Sequence, residues 1–340
     1  MKRSQNKEYN CPCLDIAGQL NYTRKGVPIE DCQTCHGTGF IQNKPDLILC
    51  SDLHIREDTP TCFKGDFQKE QWDSLGFIKE LQKKHNCPVL CGGDVFHHWK
   101  PSPFLLSETI KHLPEQFFTC YGNHDLPQHN LDLLEKCGVY TLKQANCLKT
   151  IGDGFDMFHW GETPELDLSS DDEPENILVW HVLTYKNNLP YPGCVSLSAK
   201  RILKKYPQYN LIVTGDNHQP FVEEYEERLL VNPGSMTRQT ADQFDHKPRV
   251  YLWYSETNTV EAVYLPIEPA EKVISREHID ITNQRNERLE SFVAQLNFLG
   301  IGKPRGSEGG TTFEENLKQF ENKNQVRSSV MQIVHKAIEV

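Results

Sequence analysis

The sequence predicts an α/β (α+β) fold in which two stacked β-sheets are flanked by helices. Short apolar runs recur along the chain, and stretches with helical spacing separate several of them. Aspartate, histidine or asparagine follows most of these runs within one to three residues. Because residues at the carboxyl ends of strands meet at one edge of a sheet, the same pattern predicts a functional site there.

The bulk composition is that of a globular protein with room for one catalytic domain and smaller additions, since the chain has 340 residues. No apolar run approaches the roughly 20 residues that span a bilayer, and the first residues lack the apolar core of a signal peptide. We therefore expect a cytoplasmic protein that does not enter a membrane. The net charge of −11 argues against a large basic nucleic-acid face, although bound cations can supply a local positive field.

Residues 1–44 form a cysteine-rich N-terminal arm without helical or strand periodicity. Two close cysteine pairs about twenty residues apart suit a tetrahedral structural zinc site, which can fold a segment too small for its own core. The alternative is four reduced thiols in a loop-rich arm. The four residues are Cys11, Cys13, Cys32 and Cys35.

Residues 45–266 are predicted to be the catalytic domain. Its first part, residues 45–125, has the pattern strand, helix, strand, helix, strand. Apolar residues at helical spacing predict the first helix over residues 67–84. Capping chemistry at Pro101-Ser102-Pro103 predicts the start of the second.

The second half of this domain is predicted to begin with an acidic, turn-rich surface loop within residues 152–175. An apolar run at residues 177–180 ends on His181, and a short helix is predicted over residues 199–205. The remaining predicted elements are a strand at 211–214, a hairpin at 221–231 and a final antiparallel pair at 250–254 and 260–265.

Residues 267–340 are predicted to be a C-terminal helical extension. Residues 285–299 have helical spacing, and residues 300–310 have the composition of a flexible linker. Two later segments, 313–320 and 326–337, also place apolar residues at helical spacing. Their apolar face either packs on the chain's own core or docks a partner or DNA.

The polar residues behind the strands suit a pair of divalent cations. A carboxylate that bridges two cations holds them about 3.5–4 Å apart, so that they clamp the attacking and leaving oxygens of a phosphoryl transfer. We predict that Asp94 is this bridge. The mixture of oxygen and nitrogen ligands favours Mn, with Mg or Fe as alternatives. The predicted ligands of one cation are Asp52, His54, Asp94 and His218, and those of the other are Asp94, Asn123, His181 and Asp216.

These motifs resemble those of the calcineurin-like metallophosphoesterase family over residues 46–265. The matching residues are Asp52-x-His54, Gly93-Asp94, Gly122-Asn123-His124-Asp125, His181 and Gly215-x-x-His218. Residues 93–102, which contain Gly-Asp-x-Phe-His and a later Pro-Ser, further resemble the SbcD-type DNA repair nucleases. Residues 215–218 and 232–239 resemble those of phage-encoded relatives of these nucleases. If the chain is phage-encoded, the expected location is the host cytoplasm.

The resemblance implies a four-layer metallophosphoesterase β-sandwich flanked by helices and an Mn-dependent DNA exonuclease/endonuclease. It also implies an SbcC-type ATPase partner that docks on the C-terminal region, and a homodimer is a further possibility. The family usually has histidine where this chain has Asp216. A carboxylate there still binds a hard cation, but the less positive site should prefer Mn or Mg over zinc. A site with one firmly held cation is the alternative.

The remaining polar residues are assigned roles around the scissile phosphate. His124 is predicted to donate a proton to the leaving 3′ oxygen or to stabilise it, with Asp125 orienting the imidazole. His97 is predicted to help position the backbone phosphate. Arg238 is a candidate phosphate contact, and a solvated charged face is its alternative.

The leading hypothesis is therefore a two-metal phosphodiesterase that cleaves DNA in repair, recombination or replication. The first alternative is a nucleotide or protein phosphoesterase of the same fold, which the net charge of −11 favours. The second is a non-catalytic scaffold that binds partners through residues 1–44 and 311–340. Asp216 is the single departure that supports a scaffold.

Overall fold

The computed structural model describes residues 8–10, 40–42, 44–150, 154–165, 177–191 and 193–277. Two five-stranded sheets dominate this part of the chain. In chain order the strands are β1 (Glu8–Asn10), β2 (Phe40–Gln42), β3 (Leu47–Cys50), β4 (Val89–Cys91), β5 (Phe117–Thr119), β6 (Asp156–Phe158), β7 (Ile177–Trp180), β8 (Thr184–Tyr185), β9 (Leu197–Ser198), β10 (Leu211–Thr214), β11 (Phe221–Tyr225), β12 (Arg228–Asn232), β13 (Arg249–Tyr254) and β14 (Thr259–Tyr264).

The α-helices are α1 (Phe67–His85), α2 (Pro103–His112), α3 (Gly138–Gln144), α4 (Ala199–Lys205) and α5 (Ala270–Val273), and 3-10 helices cover Pro127–His129, Leu131–Lys136 and Ala241–Asp245. The predicted start of α2 is confirmed, since the Ser102 side chain accepts from the Leu105 amide and Pro103 is the first helical residue. Helix α1 is capped in the same way, because Asp66 accepts from the Lys69 amide.

The first sheet has the strand order β14-β13-β3-β4-β5. Strands β3, β4 and β5 are parallel, whereas β13 is antiparallel to both of its neighbours. The second sheet has the order β11-β12-β10-β7-β6, in which only β11 is antiparallel to its neighbour. The carboxyl ends of the parallel strands therefore share one edge of each sheet.

Alternating residues of the strands supply separate apolar layers. Leu49 and Leu90 of the first sheet pack against Val179 and Val213 of the second. On the outer face of the first sheet a second cluster joins the strands to α1, α2 and α3. On the outer face of the second sheet, Ile212 packs with residues of α4. The predicted four-layer β-sandwich flanked by helices is confirmed.

The N-terminal arm differs from its prediction in one respect. Strands β1 and β2 pair antiparallel, with Tyr9 opposite Ile41, although the sequence predicts no strand within residues 1–44. Three-residue strands are too short to leave a periodic signal. The four cysteines assigned to zinc lie outside the described residues, as do the C-terminal helices and linker predicted over residues 285–337.

Strand β6 and helix α3 are among the other elements that are not predicted from the sequence. Strand β6 lies within the segment predicted as a surface loop and adds an edge strand to the second sheet. Helix α3 begins at Gly138, and its cap is the Cys137 sulfur, which accepts from the Tyr140 amide at 3.4 Å. Cysteine is not among the usual capping residues, so the start of this helix carries no capping signal in the sequence.

The chain beyond β14 still belongs to the unit built from the two sheets. This compact unit ends at Ile274, which forms an isolated bridge with Phe63. Within the described ranges, no helix combines the length and the apolar character needed to cross a bilayer.

Candidate metal centre

The predicted ligands lie just past the carboxyl ends of five parallel strands. Asp52 and His54 follow β3, and Asp94 follows β4. The second sheet contributes His181, directly after β7, and the residues after β10. The structure brings side chains from both sheets within hydrogen-bonding distance of one another, as the following contacts show.

Asp94 lies at the centre of this group. Its Oδ2 atom is 3.6 Å from Nε2 of His54 on one side and 3.6 Å from Nε2 of His181 on the other. Its Oδ1 atom accepts a hydrogen bond from the His124 amide at 2.9 Å. One carboxylate oxygen thus faces two imidazoles that come from different sheets, while the other oxygen is fixed by backbone.

Asp52, His54 and His218 form the first group of side chains that could hold a cation. The Nε2 atoms of His54 and His218 are 2.9 Å apart, and His54 Nε2 is 3.9 Å from Asp52 Oδ1. Burial lowers the pKa of His54 well below its usual value, and the nearby His218 lowers it further. His54 is therefore a neutral imidazole, the form that binds metals.

Asp52, Asp94 and His181 form the second group. The His181 ring is oriented by its Nδ1–H, which donates to the Gly92 carbonyl at 2.6 Å. This bond directs Nε2 toward the site, where it lies 3.0 Å from Asn123 Oδ1. A ring N–H bonded to a carbonyl is a common way to fix the orientation of a metal-binding histidine.

Asp216 is held near the other ligands through its backbone. Its amide donates to Asp52 Oδ1 at 3.0 Å. Burial raises the pKa of the Asp216 carboxyl, while the neighbouring His181 lowers it. The side-chain groups that could hold a metal, within the part of the chain that is described, do not include Asp216.

Backbone strain is concentrated at the same residues. Asp52, His54, Asp94 and Asp216 have φ angles of 49°, 45°, 53° and 73°. A non-glycine residue in this left-handed region costs about 1–3 kcal/mol, and such residues cluster at functional sites. Hydrogen bonds from the Asp52 amide to the Gly93 carbonyl and from the His54 amide to the Asp94 carbonyl, both 3.0 Å, hold the two loops in this conformation.

These residues fit a divalent metal centre. Asp52 Oδ2 is buried and has no hydrogen-bond partner in the described part of the chain. Burial raises the pKa of Asp94 well above its usual value, and the neighbouring Asp125 and Asp52 carboxylates raise it further. A cation at this position would compensate the buried negative charge, and the donors are the carboxylate, imidazole and amide groups that such cations accept.

His124 and His97 lie beside the first group and form, together with His54, a third group of side chains that could hold a cation. His124 Nδ1–H donates to the His97 carbonyl at 2.8 Å, and the two rings stack with centroids 5.3 Å apart. The His124 ring also contacts His54 edge-on, with centroids 4.7 Å apart. Burial and the charge of Arg56 lower the pKa of His97 to about 4. His97 is therefore neutral at physiological pH.

A family comparison agrees with this geometry. The model of the calcineurin-like phosphoesterase superfamily domain matches the chain over residues 46–254, which include all of the strand-end residues described above. The chain belongs to the calcineurin-like phosphoesterase superfamily. The sequence matches none of the curated proteins.

Several solved structures are similar at low sequence identity. An archaeal phosphodiesterase is 15% identical, with 64% of this chain and 99% of that chain covered and a TM-score of 0.35. The phosphopantetheinyl hydrolase from Mycobacterium tuberculosis is 15% identical, with coverage of 66% and 97% and a TM-score of 0.39. A metallophosphoesterase from Sphaerobacter thermophilus is 12% identical, with coverage of 66% and 90% and a TM-score of 0.33. These similarities are too distant to indicate a substrate.

Asp125 has a different environment from the one predicted for it. The buried carboxylate of Asp125 accepts hydrogen bonds from the amides of Val95, Phe96 and Gly122, at 3.2, 3.0 and 3.0 Å. The His124 ring is instead oriented by the His97 carbonyl. The predicted orientation of His124 by Asp125 is thus replaced by another role, in which Asp125 ties the loop after β4 to the loop after β5.

Arg238 is also placed away from the phosphate contact predicted for it. Its side chain is only 4% exposed. Its Nε donates to the His246 carbonyl and its Nη1 to the Glu268 carbonyl, both at 3.0 Å. The guanidinium therefore connects backbone segments in the interior, and the prediction of a phosphate contact is corrected.

Arg56 is the cation near the site that sequence reasoning missed. Its guanidinium donates to the Asp58 carboxylate and, at 3.1 Å, to Gln239 Oε1. Its charge helps to lower the pKa of His97. The signal available in the sequence is its position two residues after His54.

Gly122 provides a direct test of how tightly Asp94 is held. A Cβ atom at this position would lie 2.6 Å from Asp94 Cγ and 2.6 Å from the Asp94 amide nitrogen. We expect Gly122→Ala to displace the carboxylate and to lower Mn²⁺ affinity by at least about 10–100-fold, the range seen when groups that support metal ligands are altered. Isothermal titration calorimetry with Mn²⁺ measures this change.

The matched control is Gly76→Ala, because the corresponding Cβ in helix α1 meets nothing within 4 Å. This variant should bind Mn²⁺ as the wild type does and gain up to about 1 kcal/mol of helix stability. Unchanged Mn²⁺ affinity in Gly122→Ala would contradict the placement of Asp94.

Asp125 can be tested for the positioning role that its contacts indicate. In Asp125→Asn one carboxylate oxygen that accepts amide hydrogens becomes a donor, so the two loops should separate. We expect Mn²⁺ affinity to fall by about 10–100-fold. Asp132→Asn, an exposed aspartate on a 3-10 helix, is the control. A fall in kcat at saturating Mn²⁺, with affinity unchanged, would instead indicate that Asp125 acts through His124.

Proposed function

We propose that the chain is a two-metal phosphodiesterase that cleaves DNA, as the SbcD-type nucleases do. The observation that carries the proposal is the position of Asp94, whose Oδ2 atom lies 3.6 Å from an imidazole nitrogen on each side. A carboxylate placed between two imidazoles suits a bridge between two cations. Membership of the phosphoesterase superfamily supports the reaction class.

The proposed ligands follow from two of the three groups of side chains, those that contain Asp52. Asp52, His54 and His218 would hold one cation together with Asp94, and Asn123 and His181 would hold the other. Asp216 is proposed as an additional ligand of the second cation, and its negative charge favours Mn or Mg over zinc. When bound, the cations polarise the phosphoryl oxygens and lower the pKa of the attacking water.

The hydrolysis forms a bond between a water oxygen and phosphorus and breaks the bond between phosphorus and the 3′ oxygen. The departing oxygen needs a proton, and His124 is proposed to supply it. Its Nδ1–H donates to the His97 carbonyl, which leaves Nε2 as the atom that exchanges a proton. In the imidazolium form Nε2–H donates to the leaving oxygen.

His97 is proposed to position the phosphate of the DNA backbone. Its ring stacks on His124, and its Nδ1 atom has no hydrogen-bond partner among residues whose placement is described. The neighbouring guanidinium of Arg56 adds positive charge on this side of the site. The choice of DNA rather than another phosphodiester rests on the resemblance of residues 93–102 to the SbcD-type nucleases.

The roles of Asp94 and His124 can be separated by substitution. We expect Asp94→Ala to lose both bound metal and DNA cleavage, because it removes the bridge. We expect His124→Ala to retain the metal and to lose about 10²–10⁴-fold in kcat, the usual contribution of a general acid. Metal analysis of the purified variants and Mn²⁺-dependent degradation of end-labelled linear DNA measure the two effects.

His98→Ala serves as the control, since this neighbouring histidine is exposed and outside the metal-binding groups. Equal metal loss in the Asp94 and His124 variants would refute the role given to His124. Hydrolysis of bis-(p-nitrophenyl) phosphate by the wild type, with labelled DNA left intact, would refute the nuclease proposal and favour a small-molecule phosphoesterase.

A further inference from the structure

A groove with a volume of 680 Å³ opens beside the metal centre, and His181 forms part of its wall. Volumes of about 300–1,000 Å³ are typical of sites that hold small organic ligands. None of the roles assigned above uses this groove. The lining residues that matter for its chemistry are Trp160, Glu162, Val195, Leu197, Arg201 and Lys205.

Trp160 joins the groove to the metal centre. Its indole meets the His181 ring edge-on, with centroids 6.0 Å apart, and its amide donates to the Tyr121 carbonyl at 2.9 Å. The indole is only partly buried. A substrate bound at the metal centre therefore meets an aromatic surface as it extends into the groove.

The wall beyond Trp160 is apolar and open to solvent. Val195 is 94% exposed, and Leu197 is 40% exposed. Neighbouring apolar side chains that remain open to water next to a concave site are typical of ligand-binding surfaces. A flat apolar group, such as a nucleobase, would cover this surface while its edges stayed in water.

Two cationic side chains also line the groove, and the Nζ of one of them, Lys205, lies over the Tyr206 ring, 4.9 Å from its centroid. Arg201 and Lys205 are one helical turn apart on α4, so both can face the same ligand. Arg201 is exposed and makes no hydrogen bond or ion pair with the residues that the structure describes. The acid of the groove, Glu162, has an Oε2 atom that already accepts from the His159 amide at 2.7 Å. Two cationic side chains against one carboxylate leave the lining with an excess of positive charge, in a chain with a net charge of −11.

We propose that the groove binds the nucleotide next to the scissile phosphodiester. Its base stacks on Trp160 and covers the apolar wall, and the phosphate beyond it is held by Arg201 and Lys205. A base within a duplex cannot reach such a groove without leaving its stack, so the bound nucleotide is unpaired. This inference rests on the proposed phosphodiesterase function, and it assigns the recognition of the substrate to residues outside the metal centre.

Abasic oligonucleotides test the stacking directly. Single-stranded substrates carry one abasic residue on either side of the scissile bond, and kcat/KM is measured in Mn²⁺. Loss of one stacked base should lower kcat/KM of the wild type by roughly 5–150-fold at one of the two positions. In Trp160→Ala the intact oligonucleotide should be cleaved more slowly by a similar factor, and removal of the base should then have little further effect.

Several controls separate stacking from a loss of structure. Trp160→Phe keeps an aromatic ring and should retain most of the sensitivity to the abasic residue. Tyr264→Ala removes an exposed aromatic side chain on β14 and should behave as the wild type does. Circular dichroism and Mn²⁺ affinity of Trp160→Ala should match those of the wild type, since the metal centre remains.

The charge contact is tested by salt dependence. In Arg201→Gln the slope of log KM against log salt should become shallower by about 0.7, the value for one phosphate contact on a single strand. Lys204→Gln is the matched control, because this lysine of the same helix lies over the Tyr225 ring, 5.0 Å from its centroid, and does not line the groove. Its slope should be that of the wild type.

Equal sensitivity to the abasic residue in the wild type and in Trp160→Ala would overturn the proposal while leaving the nuclease function intact. Loss of Mn²⁺ affinity in Trp160→Ala, together with an unchanged salt slope in Arg201→Gln, would also overturn it, because Trp160 would then only support His181. Hydrolysis of bis-(p-nitrophenyl) phosphate without cleavage of any oligonucleotide would refute the proposed function itself and is distinguishable from both results.

Discussion

Repulsion between buried carboxylates is the constraint on which the site depends. Asp52 and Asp94 are almost completely buried, and the Asp52 carboxylate adds to the burial that raises the pKa of Asp94. Backbone amides stabilise part of this negative charge, since the His124 amide donates a hydrogen bond to Asp94 and the Asp216 amide donates one to Asp52. One oxygen of Asp52 still has no partner within the described ranges. Bound cations would compensate the remaining negative charge. The imidazoles of His54 and His181 lie where they would complete the coordination of these cations.

The two-sheet architecture explains how so much charge is gathered in the interior. Parallel strands deliver their following residues to one edge, and facing sheets bring two such edges together. The loops then need left-handed conformations at the charged residues, a strain that hydrogen bonds between adjacent loops offset. Asp125 also supports the site, because its carboxylate accepts hydrogen bonds from three backbone amides in two loops. The site is thus held mainly by backbone, which leaves its side chains oriented without help from a substrate.

Much of this arrangement could be predicted from the sequence, because the decisive signals are local. An apolar run followed within one to three residues by aspartate, asparagine or histidine marks a strand end. The helix over residues 67–84 follows from its spacing, and the start of α2 follows from the capping residues 101–103. The errors concern side chains whose partners are distant in sequence. Arg238 is buried, and its guanidinium donates hydrogen bonds to the carbonyls of His246 and Glu268. Asp125 accepts hydrogen bonds from amides about thirty residues away in the sequence. Such partners depend on the tertiary fold, and composition gives no sign of them. The short strand β6 and helix α3 were missed because they have neither length nor a capping signal.

The most direct test of the proposed two-cation site is a crystal of the protein grown with Mn²⁺, with diffraction measured at the manganese absorption edge. We predict two anomalous peaks, one on each side of Asp94 Oδ2. They should lie about 3.5–4 Å apart, which is the spacing of a carboxylate-bridged pair of cations. One peak would lie against His54 and His218, and the other against Asn123 and His181. Peaks remote from Asp94, or a single peak that does not contact it at saturating Mn²⁺, would contradict the assignment of Asp94 as the bridge.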